Sequence, residues 1–207
     1  MTLVEGAIKF GRLMESDLMK IIEPEAASKI VNKIDDAIRV IGDCPHEGCM
    51  YRDFTTLWKD QEAFRNSIMA MFILGHNDLD EKINKVVAIE AKGWIYGAIL
   101  ADRMNLPFVP IRKHGMLPAG TATKEYGHHG EALRIHRDAI SSGDRVLLVD
   151  DLIITGESTL SAIYCVEALG GKVTKIIALA DLTGKKGKER IKEEGYNIET
   201  VISYPGI

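Results

Sequence analysis

A chain of 207 residues with 46% hydrophobic side chains can fill the core of one medium domain, which excludes disorder as its ground state. A formal net charge of −4 gives no global attraction to nucleic acid or to an anionic membrane. Cys44, Cys49 and Cys165 make an odd count that argues against a disulfide framework, Met1 to Gly6 lack the sections of a signal peptide, and no apolar run is long enough for a bilayer, so the chain reads as cytoplasmic.

Taken in order, residues 7–21 carry helical periodicity and predict a helical extension over 1–21. Residues 24–41 repeat the pattern through Ile30, Ile34, Ile38 and Ile41, behind the acidic, proline-bearing start Glu23-Pro24-Glu25. Cys44-Pro45-His46-Glu47-Gly48 is turn chemistry. With Cys49 it offers half of a metal knuckle, but a structural zinc site takes four ligands, usually as two spaced pairs, so no protein metal site is expected. Tyr51 to Leu57 reads as a loop or edge segment carrying aromatics, ahead of a helix from Asp60 to about Leu74.

Residues 85–90 predict a buried strand ending in a carboxylate, followed by Ala91-Lys92-Gly93; Gly93 and Gly97 let the next helix, to Arg103, pack closely. A third strand, Phe108 to Lys113, ends in two cations, which at a strand end are commonly only solvated. Residues 114–131 are rich in glycine and histidine and poor in large apolar groups, the composition of a mobile loop. Leu133 to Ile140 alternates like a strand, and Ser142-Gly143-Asp144 turns the chain into the stretch Arg145 to Thr159.

That stretch begins as a buried parallel strand, breaks into Asp150-Asp151, and passes through Thr155-Gly156 into a helical segment. In an open α/β sheet, ligands sit beyond the carboxyl ends of the strands, and amides at the following helix N-terminus hold phosphate. Carboxylates repel phosphate but accept hydrogen bonds from sugar hydroxyls and from a metal-water shell, so the pattern suits a ribose 5-phosphate. The residues alone leave open a plainer reading, in which the acidic pair ends a strand and Thr155 or Ser158 caps a helix. A helix from Leu160 to Ala168, a strand from Val173 to Leu179 and the basic cluster Lys185-Lys186-Gly187-Lys188 follow. The cluster is short, lacks interleaved aromatics, and reads as a solvated helix start rather than an RNA site.

The stretch resembles the phosphoribosyl pyrophosphate (PRPP) motif of the type I phosphoribosyltransferases: apolar residues, an acidic pair, two variable positions, then a small loop containing Thr-Gly. The adenine branch has Ala-Thr-Gly-Gly-Thr where this chain has Ile154-Thr155-Gly156-Glu157-Ser158; backbone amides bind the phosphate, so Glu157 can point outward. Tyr51-Arg52-Asp53 resembles that branch's Phe-Arg-Asp, and Lys59 to Arg65 continues the likeness. Ala91-Lys92-Gly93 resembles its Ala-Arg-Gly pyrophosphate turn, with Lys for Arg, and Arg112-Lys113-His114-Gly115-Met116-Leu117-Pro118 matches a further signature. Glu125-Tyr126-Gly127 falls in the place of the catalytic loop, followed here by His128-His129.

The likeness covers roughly residues 25–207, beyond the N-terminal extension, and implies a single domain over 1–207. Its fold is α/β, a mainly parallel sheet flanked by helices, with a small hood from about 42–58. It implies transfer of the phosphoribosyl group of PRPP to adenine, with a 6-oxopurine transferase, or a non-catalytic PRPP-sensing regulator, as alternatives. PRPP binding then falls to Lys92, Asp150, Asp151, Ile154, Thr155, Gly156, Glu157 and Ser158. The base falls to Met50, Tyr51, Arg52 and Leu182, and catalysis to Glu125, Arg112 and Lys113. Mg²⁺ carried mainly by PRPP, no nucleic-acid or membrane partner, and a homodimer complete what the resemblance implies.

Overall fold

The computed structural model describes residues 20–44, 46–76, 82–113 and 132–205, so most of the predicted extension and the whole loop 114–131 lie outside the described residues. Helix α1 spans Pro24–Asp36, with Pro24 in the first turn, where its missing N–H leaves no bond unmade. It stops earlier than its isoleucine periodicity suggests. Arg39–Gly42 forms strand β1, paired antiparallel with β2, Met50–Asp53, so that Val40 faces Arg52 and Ile41 faces Tyr51. The break is fixed from outside: Thr56 donates to the Ala37 carbonyl over 2.7 Å and accepts the Arg39 amide over 3.0 Å. These two strands form the predicted hood.

Short helix α2, Thr55–Lys59, and long helix α3, Gln61–His76, lead to the main sheet. Its strands are β3 (Lys85–Ile89), β4 (Phe108–Lys113), β5 (Leu133–Arg134), β6 (Arg145–Ile153), β7 (Lys172–Leu182) and β8 (Ile198–Tyr204), in spatial order β5-β4-β3-β6-β7-β8. All pairings are parallel except β4 with β5. The alternating stretch 133–140 therefore yields only a two-residue edge strand; beyond it, Ile135 and Ile140 are buried from irregular chain that turns at Ala139.

Helix α4 (Gly93–Met104) lies on the α1 and α3 side, and α5 (Glu157–Glu167) and α6 (Gly187–Glu193) lie on the other. The central strands serve both faces: Leu147 and Val149 enter one core, Val146 and Leu148 the other. Each such buried aliphatic side chain contributes ~1.5–3 kcal/mol, which is why these strands read as unbroken apolar runs. Gly97 is where α4 meets the sheet, since a β-carbon there would collide with that of Ala88. Among the described residues no helix is long and apolar enough to cross a membrane.

Candidate active site

The acidic pair does not end its strand, as the sequence suggests. β6 continues to Ile153 because β7 is long enough to partner it, Leu152 against Ala180 and Ile153 against Asp181. Asp150 is buried and its Oδ1 accepts the Asp151 amide over 2.9 Å. Gly93 lets the start of α4 lie against this carboxylate, since a β-carbon there would stand 3.1 Å from the same Oδ1. Burial pushes the Asp150 carboxyl well above the usual carboxylate range, and the neighbouring Asp151 charge adds to it. Burial also raises Asp151, opposed by Lys92, whose Nζ lies 3.8 Å from Asp151 Oδ2. A buried acidic pair with one partial counter-ion is suited to receiving hydroxyl donors or a cation.

Beyond β6, residues 154–159 wrap a recess of about 200 Å³ that Asp150 also lines. Gly156 has φ +78°, a left-handed conformation that a side chain would strain, and it caps α5. Gly156 to Thr159, the opening turn of this eleven-residue helix, line the recess, where the helix's partial positive charge gathers. Glu157 is largely exposed and lies 3.7 Å from Arg190, so its side chain turns outward as the motif requires.

The loop is braced from behind. The Gly187 amide donates to the Ile154 carbonyl over 3.1 Å, and a β-carbon on Gly187 would collide with that oxygen and stand 2.7 Å from the Gly156 nitrogen. The basic cluster is accordingly not a solvated helix start throughout: Lys188 is buried, and its Nζ donates to Thr200 Oγ1 over 2.7 Å and lies 3.8 Å from Asp181. Thr200 and Ser203 each donate to Asp181 Oδ1 over 2.6 Å.

Between hood and sheet lies a larger cavity of about 650 Å³. Met50, Tyr51 and Arg52 of β2 form one wall, with Cys44 and Cys49 beside them. Leu152, Ile154, Leu182 and Lys185, from the ends of the main-sheet strands and the turns after them, line it as well, and Lys92, Lys113, Glu90 and Asp151 supply charge. Tyr51 is a partly exposed wall residue, not the core residue that ordinary packing would make of it. Lys92 Nζ donates to the Tyr51 hydroxyl over 3.3 Å, so one ammonium touches both the aromatic wall and the acidic pair. Asp53 ties the hood together: it pairs with Arg39 and accepts the Thr55 amide and hydroxyl, and those Thr55 bonds, with Arg39, hold its carboxyl down to about 2.

Of the expected site residues, Met50, Tyr51, Arg52, Lys92, Lys113, Asp151, Ile154 and Leu182 thus share the cavity. Asp150 and Ile154 to Ser158 line the adjoining recess. Arg112 is not on the cavity wall: its guanidinium lies 5.2 Å from the Trp94 ring and bonds Glu90 over 3.4 Å. Glu125 lies outside the described residues. Among the described residues no group of three His, Cys, Asp or Glu side chains could hold a metal; the Cys49 sulfur lies 3.1 Å from His46 Nδ1. Glu90, Leu152 and Lys185 belong to the cavity and were not expected there; Glu90 carried a signal as a carboxylate at a strand end and Lys185 as part of the basic cluster, whereas Leu152 carried none.

A cavity with one aromatic wall, joined through an acidic pair to an anion recess at the carboxyl ends of a parallel sheet, defines an α/β protein built for a sugar phosphate. The chain belongs to the phosphoribosyl transferase family, whose phosphoribosyl transferase domain matches residues 58–204. It is 40% identical over 176 residues to an adenine phosphoribosyltransferase of Ruegeria pomeroyi, covering 84% of this chain and 97% of the relative. A second adenine phosphoribosyltransferase, from Ruminiclostridium cellulolyticum, is 40% identical over 173 residues, 83% of this chain and 99% of the relative. The crystal structure of adenine phosphoribosyltransferase from Thermoanaerobacter pseudethanolicus superposes with a TM-score of 0.76 at 38% identity, covering 84% and 99% of the two chains. That of the Saccharomyces cerevisiae enzyme, complexed with an imino-altritol bisphosphate and adenine, gives 0.76 at 27% identity, covering 84% and 99%.

Proposed function

We propose that this protein is an adenine phosphoribosyltransferase of purine salvage, joining adenine to PRPP to give AMP and pyrophosphate. The observation that carries the reading is that the cavity and the recess adjoin: Leu152 and Ile154 line both, and the acidic pair is divided between them, Asp151 on the cavity and Asp150 on the recess. A base in the cavity and a 5′-phosphate in the recess leave a ribose beside Asp150 and Asp151.

In the reaction the bond from the anomeric carbon to pyrophosphate breaks, a bond to the base nitrogen forms, and the base releases a proton. Positive charge gathers on the ribose and negative charge on the leaving group. Lys92, beside Asp151, and Lys113, which also lines the cavity, meet the second, and Arg112 joins them on exchanging Glu90 for the pyrophosphate. Asp150 and Asp151 orient the ribose through its hydroxyls. Tyr51 and Leu182 take the two faces of the base, while the main chain at Met50 and Arg52 reads its edge. The family resemblance assigns residues 114–131 the exclusion of water that competes with the base, with Glu125 as the residue proposed to act on the ribose.

The acidic pair fits Mg²⁺ held largely by substrate oxygens and water, since the described residues make no closed cage. When bound, the ion neutralises charge on the pyrophosphate. The same reading carries a cytoplasmic setting and a homodimer, the latter checked by sedimentation equilibrium. Product formation from PRPP with adenine, hypoxanthine and guanine tests the function: AMP as the dominant product is expected. Preference for a 6-oxopurine would reassign the base, and absence of product with any base would leave a PRPP-sensing role.

A further inference from the structure

The hood carries one wall of the base cavity, yet among the described strands β1 and β2 hydrogen-bond only to each other, never to the main sheet. Something other than a strand ladder must set its distance from Leu182. Successive side chains on a strand point to opposite faces; next to Tyr51, Arg52 sends its guanidinium over the ring of Tyr204, 3.7 Å from the centroid. Arg52 Nε is buried and makes no hydrogen bond to any described group, so the aromatic face is its principal anchor.

Tyr204 is tied in three further directions. Its backbone pairs in register with Leu182, which also lines the cavity. Its carbonyl accepts the Thr183 hydroxyl over 3.2 Å. Its own hydroxyl donates to Asp35 Oδ1 on α1 over 2.7 Å, and its side chain is 3% exposed. Tyr204 therefore links the strand that carries Tyr51, through Arg52 on its ring, to the strand end that carries Leu182, through its backbone.

We infer that Tyr204 is a positioning residue for the base: through Arg52 on its face and Leu182 in its register, it sets the gap between Tyr51 and Leu182. The inference rests on the purine reading of the cavity. Tyr204 touches neither substrate in that reading. Its loss widens or loosens the aromatic slot and leaves the PRPP recess, built on β6 and α5, as it was.

The test has two arms. Steady-state kinetics of Tyr204→Leu, which removes ring and hydroxyl but keeps an apolar side chain, should show KM for adenine raised about tenfold and KM for PRPP within about twofold, the cation–π and hydroxyl contacts being lost together. Tyr204→Phe, which keeps the ring, should raise it only about threefold. Equal increases in both constants, or no increase, would overturn the inference. In the second arm, amide hydrogen exchange of Tyr204→Leu should quicken over residues 39–53 while β6 stays protected. Unchanged exchange over 39–53 overturns the tether whatever base the enzyme uses. Failure of the wild-type chain to use adenine strikes the assigned function instead and leaves the exchange arm to decide. Should Tyr204→Leu not fold, Arg52→Lys, which keeps charge and main chain but loses the planar stack, carries the same expectations.

Discussion

Gly187 and Ile154 stand so close that the amide of the first donates to the carbonyl of the second over 3.1 Å and no β-carbon fits between them. The phosphate loop is thus held in shape by the start of a helix about thirty residues further along the chain. Gly187→Ala should cost ~1–3 kcal/mol of stability through forced displacement of packed backbone. Because the displaced atoms are the loop itself, KM for PRPP should rise by at least about tenfold, with KM for adenine nearly unchanged. Urea unfolding and steady-state kinetics check both. A loss of stability without any change in PRPP dependence would separate the brace from the loop.

The acidic pair gives a prediction with a definite sign. In the fold, burial raises both carboxyls above their ordinary value of 3.8. Between that value and the raised one, the native state holds protons the unfolded chain has released, so their contribution favours folding at low pH and is lost as pH rises through the folded values. Replacing both by Asn should make the ligand-free protein more stable at neutral pH, by an amount that shrinks on acidification toward 4, the ordinary carboxylate value. The same variant should bind PRPP at least about tenfold more weakly, as two charged acceptors for hydroxyls are lost. Denaturation across pH with PRPP titration measures the two effects, and a pH-independent stability difference would contradict the raised carboxyls.

Tyr51 offers a flat face, and its hydroxyl serves Lys92 rather than the base. Tyr51→Phe should therefore keep KM for adenine within about threefold, whereas Tyr51→Ala should raise it about tenfold through loss of ring contact. Kinetics with adenine as the varied substrate decide between stacking and hydroxyl readout.

Turnover in excess chelator should fall to background and return on adding Mg²⁺, as the leaving group's charge demands. Glu125→Ala should lower turnover with little change in KM for PRPP, the mark of an interaction made as charge develops on the ribose. Wild-type turnover in Glu125→Ala, with loss in the combined His128→Ala and His129→Ala variant, would move that role to the imidazoles.

The central strands β3, β4, β6 and β7 were legible because runs such as Val146 to Val149 are buried on both faces, and such an apolar run has few other uses, whereas β8 carried no strand reading and the stretch 133–140 shrank to two residues. The acidic pair, the Thr-Gly loop and the hood aromatics were legible for the same kind of reason: chemistry confined to a few adjacent residues. What sequence hid depends on distant partners. The extension of β6 to Ile153 needs Ala180 and Asp181, and the end of α1 needs Thr56. Lys188 looked solvated because Thr200 and Asp181, which bury it, lie on other strands. Arg112 looked free because Glu90 and Trp94 are remote in sequence.

Lys92 has a consequence for how the two substrates sense each other. Its single ammonium lies within 3.8 Å of Asp151 and 3.3 Å of the Tyr51 hydroxyl, so it belongs at once to the sugar side and the base side. On the proposed reading, PRPP bound beside Asp151 would draw that charge away from Tyr51 and alter the wall the base meets. The coupling is thermodynamic and runs equally in reverse, so whatever PRPP does to the affinity for the base, the base does to the affinity for PRPP.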